Sequence, residues 1–217
     1  ARIAAPLRHH NFRNLAISMG IWLFACSMAG TFNAVYLKRV FDVSYSGLSL
    51  MTICGSLSTI VTSLFVGYLI ERIGARTFAV ILMCLAPLFF VPWFFVTGAA
   101  VHFNLPFHGP VRMVQALVLM CAATLVFSGM YAAVGVCHLS LLSAFAPRRE
   151  RTLAMAVHWC LVGLCTAGGP LLGGAIVDLF AQRPSTFKLM GDTRFDFIQL
   201  LHLLHALIIW CLAVPFM

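Results

Sequence analysis

Residues 67–76 read GYLIERIGAR and separate two long apolar runs. The segment holds one acid, two arginines and two glycines, whereas residues 46–66 and 77–101 contain no charged side chain. A short charged turn between apolar runs is typical of a loop that joins two membrane helices. The chain is therefore predicted to fold as membrane-crossing hairpins, of which this turn is one.

The composition excludes a water-soluble domain. The 217 residues are 62% hydrophobic and 9% charged, whereas about a quarter of the residues of a soluble domain are charged. The net charge of +8 comes from basic residues at the ends of apolar segments, so anionic lipid is a predicted partner and nucleic acid is not. The eight cysteines lie in apolar segments without a C-x-x-C pair, so no metal site or disulfide framework is predicted.

Six apolar stretches meet the length of about 20 residues that a helix needs to cross a bilayer. They are residues 15–37, 46–70, 78–101, 113–145, 153–180 and 197–217. Strands of a membrane barrel would alternate in hydropathy and be about half as long. The predicted fold class is an all-α membrane protein, with six transmembrane helices in one domain over residues 1–217.

Lysine and arginine counts predict the orientation of the chain in the membrane. Eight of these residues lie on the side of the two termini, and six lie in the loops on the opposite side. This excess predicts that both termini are cytoplasmic. The chain begins with alanine and stops within an apolar run, which we interpret as a segment of a longer protein.

A short internal similarity predicts two three-helix units. Near the end of the second helix Gly67 precedes Glu71 by four positions, and near the end of the fifth helix Gly174 precedes Asp178 by four. Two helix triplets of inverted topology are typical of secondary transporters. The six helices are therefore interpreted as two inverted three-helix repeats.

The turn also has a predicted mechanical role. Gly67 and Glu71 share one helix face, and a glycine there allows a second helix to approach closely. Gly74 is expected to adopt the positive φ that ends the helix and reverses the chain. Glu71, Arg72 and Arg76 then form a charged latch at head-group depth, with a purely topogenic loop as the alternative.

This segment resembles the signature loop of the major facilitator superfamily, G-x-L-x-D-R-x-G-x-R, with Glu71 in place of the usual aspartate. The matching residues are Gly67, Leu69, Arg72, Gly74 and Arg76. Residues 169–174, GPLLGG, are similar to the end of the fifth-helix motif of that superfamily's antiporters. Cys165 stands where that motif has a glycine, so antiport is not implied. Residues 6–15, PLRHHNFRNL, resemble the basic lead-in to the second half of bacterial members.

The resemblance implies one six-helix half, the C-terminal one, of a twelve-helix carrier in a bacterial inner membrane. Its implied partners are a small-molecule substrate, the lipid bilayer, and the other six-helix half of the same chain or a second copy. It implies alternating-access transport without enzyme activity or a cofactor. In that family the loop between the second and third helices makes charge contacts with the other half, which implies a gating role for Glu71, Arg72 and Arg76.

Polar side chains within the spans are functional candidates, because they are costly in lipid. Asn33 and Tyr36 lie three apart on the first helix, which lines the cavity in the family, so they are predicted to contact substrate or to bond a neighbouring helix. His138 and His158 lie about 10 Å and 8 Å deep on adjacent antiparallel helices. They are predicted to meet at one level, for proton coupling or for packing.

The remaining intramembrane features are assigned to packing or to bending. His202 and His205 share a face of the last helix, which is peripheral in the family, so packing or interface anchoring is predicted. The fifth helix carries a glycine run around a proline, which predicts close packing or a bend. Its central residues are Gly169, Pro170, Gly173 and Gly174.

Two other functions remain as alternatives to transport. Paired histidines on neighbouring membrane helices can ligate haem, which would make the chain a redox subunit with His138 and His158 as ligands. A non-transporting six-helix membrane subunit is the second alternative. Soluble hydrolase and nucleotide-binding motifs are absent from the sequence. The sequence names neither the substrate nor the coupling ion.

Overall fold

The computed structural model describes residues 6–105, 109–147, 150–182 and 196–217. The six principal helices are α1 (His10–Phe41), α2 (Tyr45–Ile73), α3 (Ala75–Leu85, continued by 3-10 turns over Ala86–Phe94), α4 (Gln115–Phe145), α5 (Arg151–Gln182) and α6 (Phe197–Ile208). A π-helical turn at Ile209–Ala213 and a 3-10 turn at Val214–Phe216 extend α6. All six spans are long and apolar enough to cross a membrane. The predicted all-α, multi-pass membrane fold is confirmed.

The connection between α3 and α4 differs from the prediction. Strands β1 (Ala100–Leu105) and β2 (Gly109–Val114) form an antiparallel hairpin, where the sequence had suggested helix up to residue 101 and again from residue 113. Pro92 lies within the 3-10 turns that end α3. Proline cannot donate the backbone hydrogen bond of a regular helix, so an α-helix does not continue through this position. The Gln115 side chain holds the two ends of this connection together. It accepts from Thr97 N at 2.7 Å and donates to Phe95 O at 3.0 Å.

The turn between α1 and α2 is fixed by local hydrogen bonds. Asp42 adopts a left-handed conformation with φ 47° and ends α1, and Ser44 caps α2 by accepting from Gly47 N at 3.2 Å. Lys38 Nζ lies 2.8 Å from Asp42 Oδ1. That ammonium group lowers the pKa of the Asp42 carboxyl from its ordinary value.

The helix contacts repeat between the two triplets. α1 packs mainly on α5, and α2 packs mainly on α4; in the same way α1 packs on α6, and α3 on α4. If α1 is exchanged with α4, α2 with α5 and α3 with α6, the α1–α5 contact becomes the α2–α4 contact. In the same exchange the α1–α6 contact becomes the α3–α4 contact. Since consecutive helices alternate in direction, the triplets have inverted topology, as in transporter repeats.

The bundle has two ends, which differ in the chain segments that they carry. The termini end is where α1 begins and where α2, α4 and α6 end, and the hairpin end carries β1 and β2. A core cluster that includes Phe12, Met83 and Leu142 lies toward the termini end, and a second cluster that includes Tyr36, Phe89 and Trp93 lies toward the hairpin end. Residues 183–195, which join α5 to α6, and Arg148 and Arg149, which lie between α4 and α5, are outside the described residues.

Candidate functional site

A cavity of about 240 Å³ lies between α1, α4, α6 and the 3-10 continuation of α3. Its polar lining consists of an amide, three hydroxyls, two imidazoles and one thiol. These groups belong to Asn33, Thr124, Ser128, Tyr131, His202, His205 and Cys26. Polar groups gathered in an otherwise apolar bundle are typical of a membrane binding site.

Asn33 joins α1 to α6 within this cavity. Its Oδ1 lies 2.8 Å from His202 Nε2. The His202 ring stacks on the Trp93 indole with centroids 5.0 Å apart and an interplanar angle of 17°, and it meets the edge of Phe89 at 5.5 Å. The side chain of Asn33 is half-buried, whereas His202 is buried. The predicted bond between helices is therefore present, Asn33 also lines the cavity, and its contact with a substrate stays a prediction.

The second imidazole joins α6 to α4 and α1. His205 Nε2 lies 3.3 Å from Tyr131 Oη and 3.8 Å from Cys26 Sγ. Tyr131 Oη also donates to Ala86 O at 3.3 Å. His202 and His205 therefore belong to a connected polar network rather than to isolated packing sites.

Tyr36 lies outside the cavity lining, although it is one turn from Asn33. Its ring is 4% exposed and its hydroxyl donates to Asp196 Oδ2 at 2.7 Å. The ring makes edge contacts with Trp93 and Phe197, with ring centroids 5.9 Å and 5.4 Å apart. These contacts tie α1 to the beginning of α6 at the hairpin end, so Tyr36 supports the wall that Asn33 presents.

His138 and His158 meet, as their depths had suggested. Their Nε2 atoms are 2.6 Å apart, and both side chains are buried. The Phe12 ring of α1 makes an edge contact with the His158 ring, with centroids 6.0 Å apart, and the centroid of Trp159 lies 5.6 Å from the centroid of each imidazole. A metal held between two imidazoles needs about 2 Å to each nitrogen, so this direct contact does not fit haem ligation.

A second, open groove of about 490 Å³ lies between α2 and α4. Its lining is rich in hydroxyl groups, and it shares Thr124 and Ser128 with the first cavity. Thr52 and Thr59 donate to backbone carbonyls one turn earlier in α2. Together the two recesses place uncharged polar groups of α1, α2, α4 and α6 among apolar side chains.

The turn between α2 and α3 has its predicted shape. Gly74 has φ 87°, and its N–H donates to Ile70 O at 2.9 Å, which ends α2. Arg72 lies over the Tyr68 ring at 5.0 Å. In the described part of the chain, Glu71 forms no ion pair and no atom lies within 4 Å of a Cβ built on Gly67. The charged side chains of this turn, Glu71, Arg72 and Arg76, are exposed.

The α5 glycines lie against α1. A Cβ on Gly169 would collide with Ser27 Oγ and stand 2.8 Å from Met28 N, and one on Gly173 would stand 2.5 Å from Met28 O. Ser27 Oγ donates across the crossing to Thr166 O at 2.8 Å. These contacts support the packing interpretation of the glycine run.

Pro170 lies inside α5, which continues from Arg151 to Gln182. A Cβ on Gly174 would make an ordinary contact, 3.9 Å from Phe32 Cζ. Bending at this segment during transport stays a prediction.

The sequence analysis did not single out the cavity residues Tyr131, Thr124 and Ser128, and it assigned His202 and His205 to packing or interface anchoring. A signal for the histidines was present, because they lie three apart on an apolar helix that must place them on one face. The signal that joins them to Tyr131 and Asn33 is long-range, and no local pattern in the sequence carries it. Among the described residues no group of three or more His, Cys, Asp or Glu could hold a metal ion.

Residues 15–212 match the family model described as Major Facilitator Superfamily. Neither a curated protein nor a solved structure matches the chain.

Proposed function

Because the chain belongs to the major facilitator superfamily, we propose that it forms one six-helix half of a secondary active transporter that moves a small solute by alternating access. The observation that carries the proposal is the polar cavity between α1, α4 and α6. α1 and α4 are the first helices of the two inverted triplets, and a site at a repeat interface near the bilayer midplane is the arrangement that such transporters use.

The solute would meet Asn33 in this cavity, beside His202, His205 and Tyr131. Asn33 is half-buried, and its amide nitrogen remains for a solute while its oxygen contacts His202. Tyr36 would act one layer behind, by holding α1 against α6 through Asp196. The described cavity lining contains no Asp, Glu, Lys or Arg, so this half would recognise its solute by hydrogen bonds and ring contacts.

The second six-helix body would cover α2 and α5. Only 11% of the α2 window and 17% of the α5 window are buried inside the bundle, compared with 33–50% for the other four helices. α2 and α5 occupy equivalent places in the two triplets, so they form a matched pair of uncovered faces. The covering body would be the other half of the same chain or a second copy, with lipid around the rest.

The α2–α3 turn would latch the two bodies together in one access state. Glu71, Arg72 and Arg76 are exposed, and the exposed Gly67 leaves room for close approach of another helix. Gly74 would fix the geometry of the turn through its positive φ. With both termini cytoplasmic, this latch would lie on the inner side of a bacterial inner membrane.

The His138–His158 contact is a candidate proton-coupling element at the termini end. One hydrogen is shared between two Nε2 atoms 2.6 Å apart. Protonation of the accepting nitrogen would place two N–H donors face to face and separate the rings. Protonation there would loosen α4 from α5 on the same side as the latch.

Transport by proteoliposomes that carry the full chain tests this function. The vesicles are presented with a mixture of small solutes, and the solutes accumulated inside are identified by mass spectrometry against protein-free vesicles. A solute enriched only with the protein is the expected result. No enrichment from any mixture, with the protein correctly inserted, would contradict the proposal.

The latch is tested with the same solute. Glu71→Gln and Arg72→Ala should each lower the transport rate about tenfold. This is the effect expected if each substitution destabilises one access state by about 1.4 kcal/mol. Lys38→Gln is the matched control, because it removes an exposed charge from the turn at the other end of the bundle. Equal rates in all four proteins would remove the latch from the mechanism.

A further inference from the structure

Two buried imidazole nitrogens in the cavity cluster lack a partner. His202 and His205 are each 2% exposed, and Nδ1 of each ring has no hydrogen-bond partner among the described residues. A buried polar atom without a partner is unfavourable, so two in one network require a reason. Both histidines line the cavity of about 240 Å³.

The hydrogen bonds determine what these free nitrogens offer. An amide oxygen only accepts, so the contact with Asn33 Oδ1 places the hydrogen of His202 on Nε2. Tyr131 Oη donates its hydrogen to Ala86 O and therefore accepts from His205 Nε2. Each neutral ring thus keeps its lone pair on the unpartnered Nδ1.

The groups that face the rings are uncharged. α1 contributes Cys26 and Asn33, α4 contributes Tyr131, and the α3 segment contributes Trp93 and Phe89. Of these groups the titratable ones are Cys26, Tyr131 and the two imidazoles themselves. The carboxyl group nearest along α6 among the described residues, that of Asp196, is hydrogen-bonded to Tyr36 and does not line the cavity.

We propose that His202 and His205 form a binding site for one proton, which is taken up at Nδ1 from the water that reaches the cavity. The ring centroids are 6.0 Å apart, so a positive charge on one ring opposes a second on the other. Protonation leaves the bonds to Asn33 and Tyr131 in place, because Nε2 donates in both the neutral and the charged ring.

This inference rests on the proposed transport function for its consequence. A proton at His202 or His205 places a positive charge in the cavity that holds the solute, next to Asn33. Binding of the proton and of the solute would then depend on each other reciprocally. The site is separate from His138–His158, where the two nitrogens already contact each other across α4 and α5.

Trp93 is a built-in reporter for this site, because its indole stacks on the His202 ring. An imidazolium quenches indole fluorescence more strongly than a neutral imidazole does. The full chain with Trp22, Trp159 and Trp210 replaced by Phe has Trp93 as its only tryptophan. In lipid nanodiscs its emission should fall as the pH is lowered from about 9 to about 4, a range that includes the ordinary pKa of histidine. His202→Asn should abolish this change.

A matched reporter serves as the control. The chain with Trp159 as its only tryptophan reports on His138 and His158, which it contacts at 5.6 Å. His202→Asn should leave any pH dependence of Trp159 unchanged. Nitrogen-15 NMR of histidine-labelled chain, without any substitution, provides a second measurement. It should show protonation at Nδ1 of one of the two α6 histidines.

The outcomes separate this proposal from the transport function. Constant Trp93 emission together with unprotonated α6 histidines over the whole range would overturn the proton site, even if solute transport is measured. A neutral polar ligand at Nδ1 in place of a proton would give that same pH-independent result. Titration of the site without transport of any solute would support the proton site and contradict the transporter.

Discussion

The two helix crossings behind the cavity use the same components in different ways. Where α1 crosses α5, Gly169 faces Ser27, and Ser27 Oγ donates to Thr166 O at 2.8 Å. Where α2 crosses α4, Gly129 faces Ser58, and Gly129 N donates to Ser58 Oγ at 2.9 Å. The exchange of triplets relates these crossings, and each joins a glycine of the second triplet to a serine of the first.

The atoms that face the glycines differ between the crossings. A Cβ on Gly169 would collide with a backbone oxygen, Phe24 O, and meet the backbone Met28 N at 2.8 Å, whereas the three atoms nearest to one on Gly129 belong to the side chains of Thr62 and Ser58. Backbone atoms move only with the whole helix, while a hydroxyl can change rotamer. The α1–α5 crossing is therefore the more rigid of the two.

This difference matters for the cavity, because both crossings lie directly behind its walls. Ser27 and Met28 lie between the α1 lining residues Cys26 and Ala29, and Gly129 follows the α4 lining residue Ser128. A rigid α1 wall would hold Asn33 at a fixed place. An α4 wall that tolerates side-chain rearrangement would adjust around the solute.

The largest effect is expected from Gly169→Ala. Its methyl group would push α5 away from the α1 backbone, and overpacking of this kind costs about 1–3 kcal/mol. The free energy of unfolding, measured by denaturation in mixed micelles, should fall by that amount. Transport should fall as well, because Asn33 moves with α1.

Gly163→Ala is the matched control on the same helix. Gly163 is exposed, and nothing described lies within 4 Å of its Cβ position. Alanine is favoured over glycine in a helix by about 1 kcal/mol, so this change should preserve or raise stability. If both alanines destabilise equally, the α1–α5 contact is not what Gly169 provides.

Gly129→Ala should have a smaller effect on unfolding. The new methyl would displace Thr62 and disturb the bond from Gly129 N to Ser58 Oγ, and interhelical hydrogen bonds in membranes contribute about 0.6 kcal/mol on average. The double substitution Gly129→Ala with Thr62→Ala should recover part of the loss, because it removes the side chain that blocks the methyl.

Gly135→Ala provides the reference on α4, since nothing described lies within 4 Å of its Cβ position. A loss at Gly129 as large as that at Gly169, without rescue by Thr62→Ala, would show that the α2–α4 crossing is as rigid as the other.

The sequence was sufficient for the large features of the fold. Six spans, the inverted triplets and the positive φ of Gly74 follow from hydropathy, spacing and turn chemistry, which are local. The hairpin of β1 and β2 was missed, because most of it lies between two predicted spans, where Pro106, Gly109 and Pro110 indicate a turn without showing that its two sides pair as strands. Pro92 was the available signal for an early end of α3.

The candidate site was predicted only in part, for a physical reason. Asn33 was found because an amide within a span is costly and therefore conspicuous. Gly129 and Tyr131 were not, because glycine and tyrosine are common in membrane helices and their importance comes from partners on α2 and α6. His205 illustrates the same limit, since its contacts with Tyr131 and Cys26 join residues 74 and 179 positions apart.

The smallest effects are expected at a second related pair, Gly55 and Gly20. A Cβ on Gly55 would lie 3.0 Å from Ser128 Oγ, and one on Gly20 would lie 3.1 Å from Cys165 Sγ. Both contacts end on single-atom side-chain tips that can rotate away, so each alanine should change the free energy of unfolding by less than about 1 kcal/mol.

Transport distinguishes the two substitutions, because Gly55 and Ser128 both line the open groove, whereas neither Gly20 nor Cys165 lines either of the two recesses. Gly55→Ala should therefore slow transport at nearly unchanged stability, and Gly20→Ala should not. If Gly20→Ala slows transport as much, the α1–α5 crossing itself moves during the cycle, and it is not the more rigid of the two.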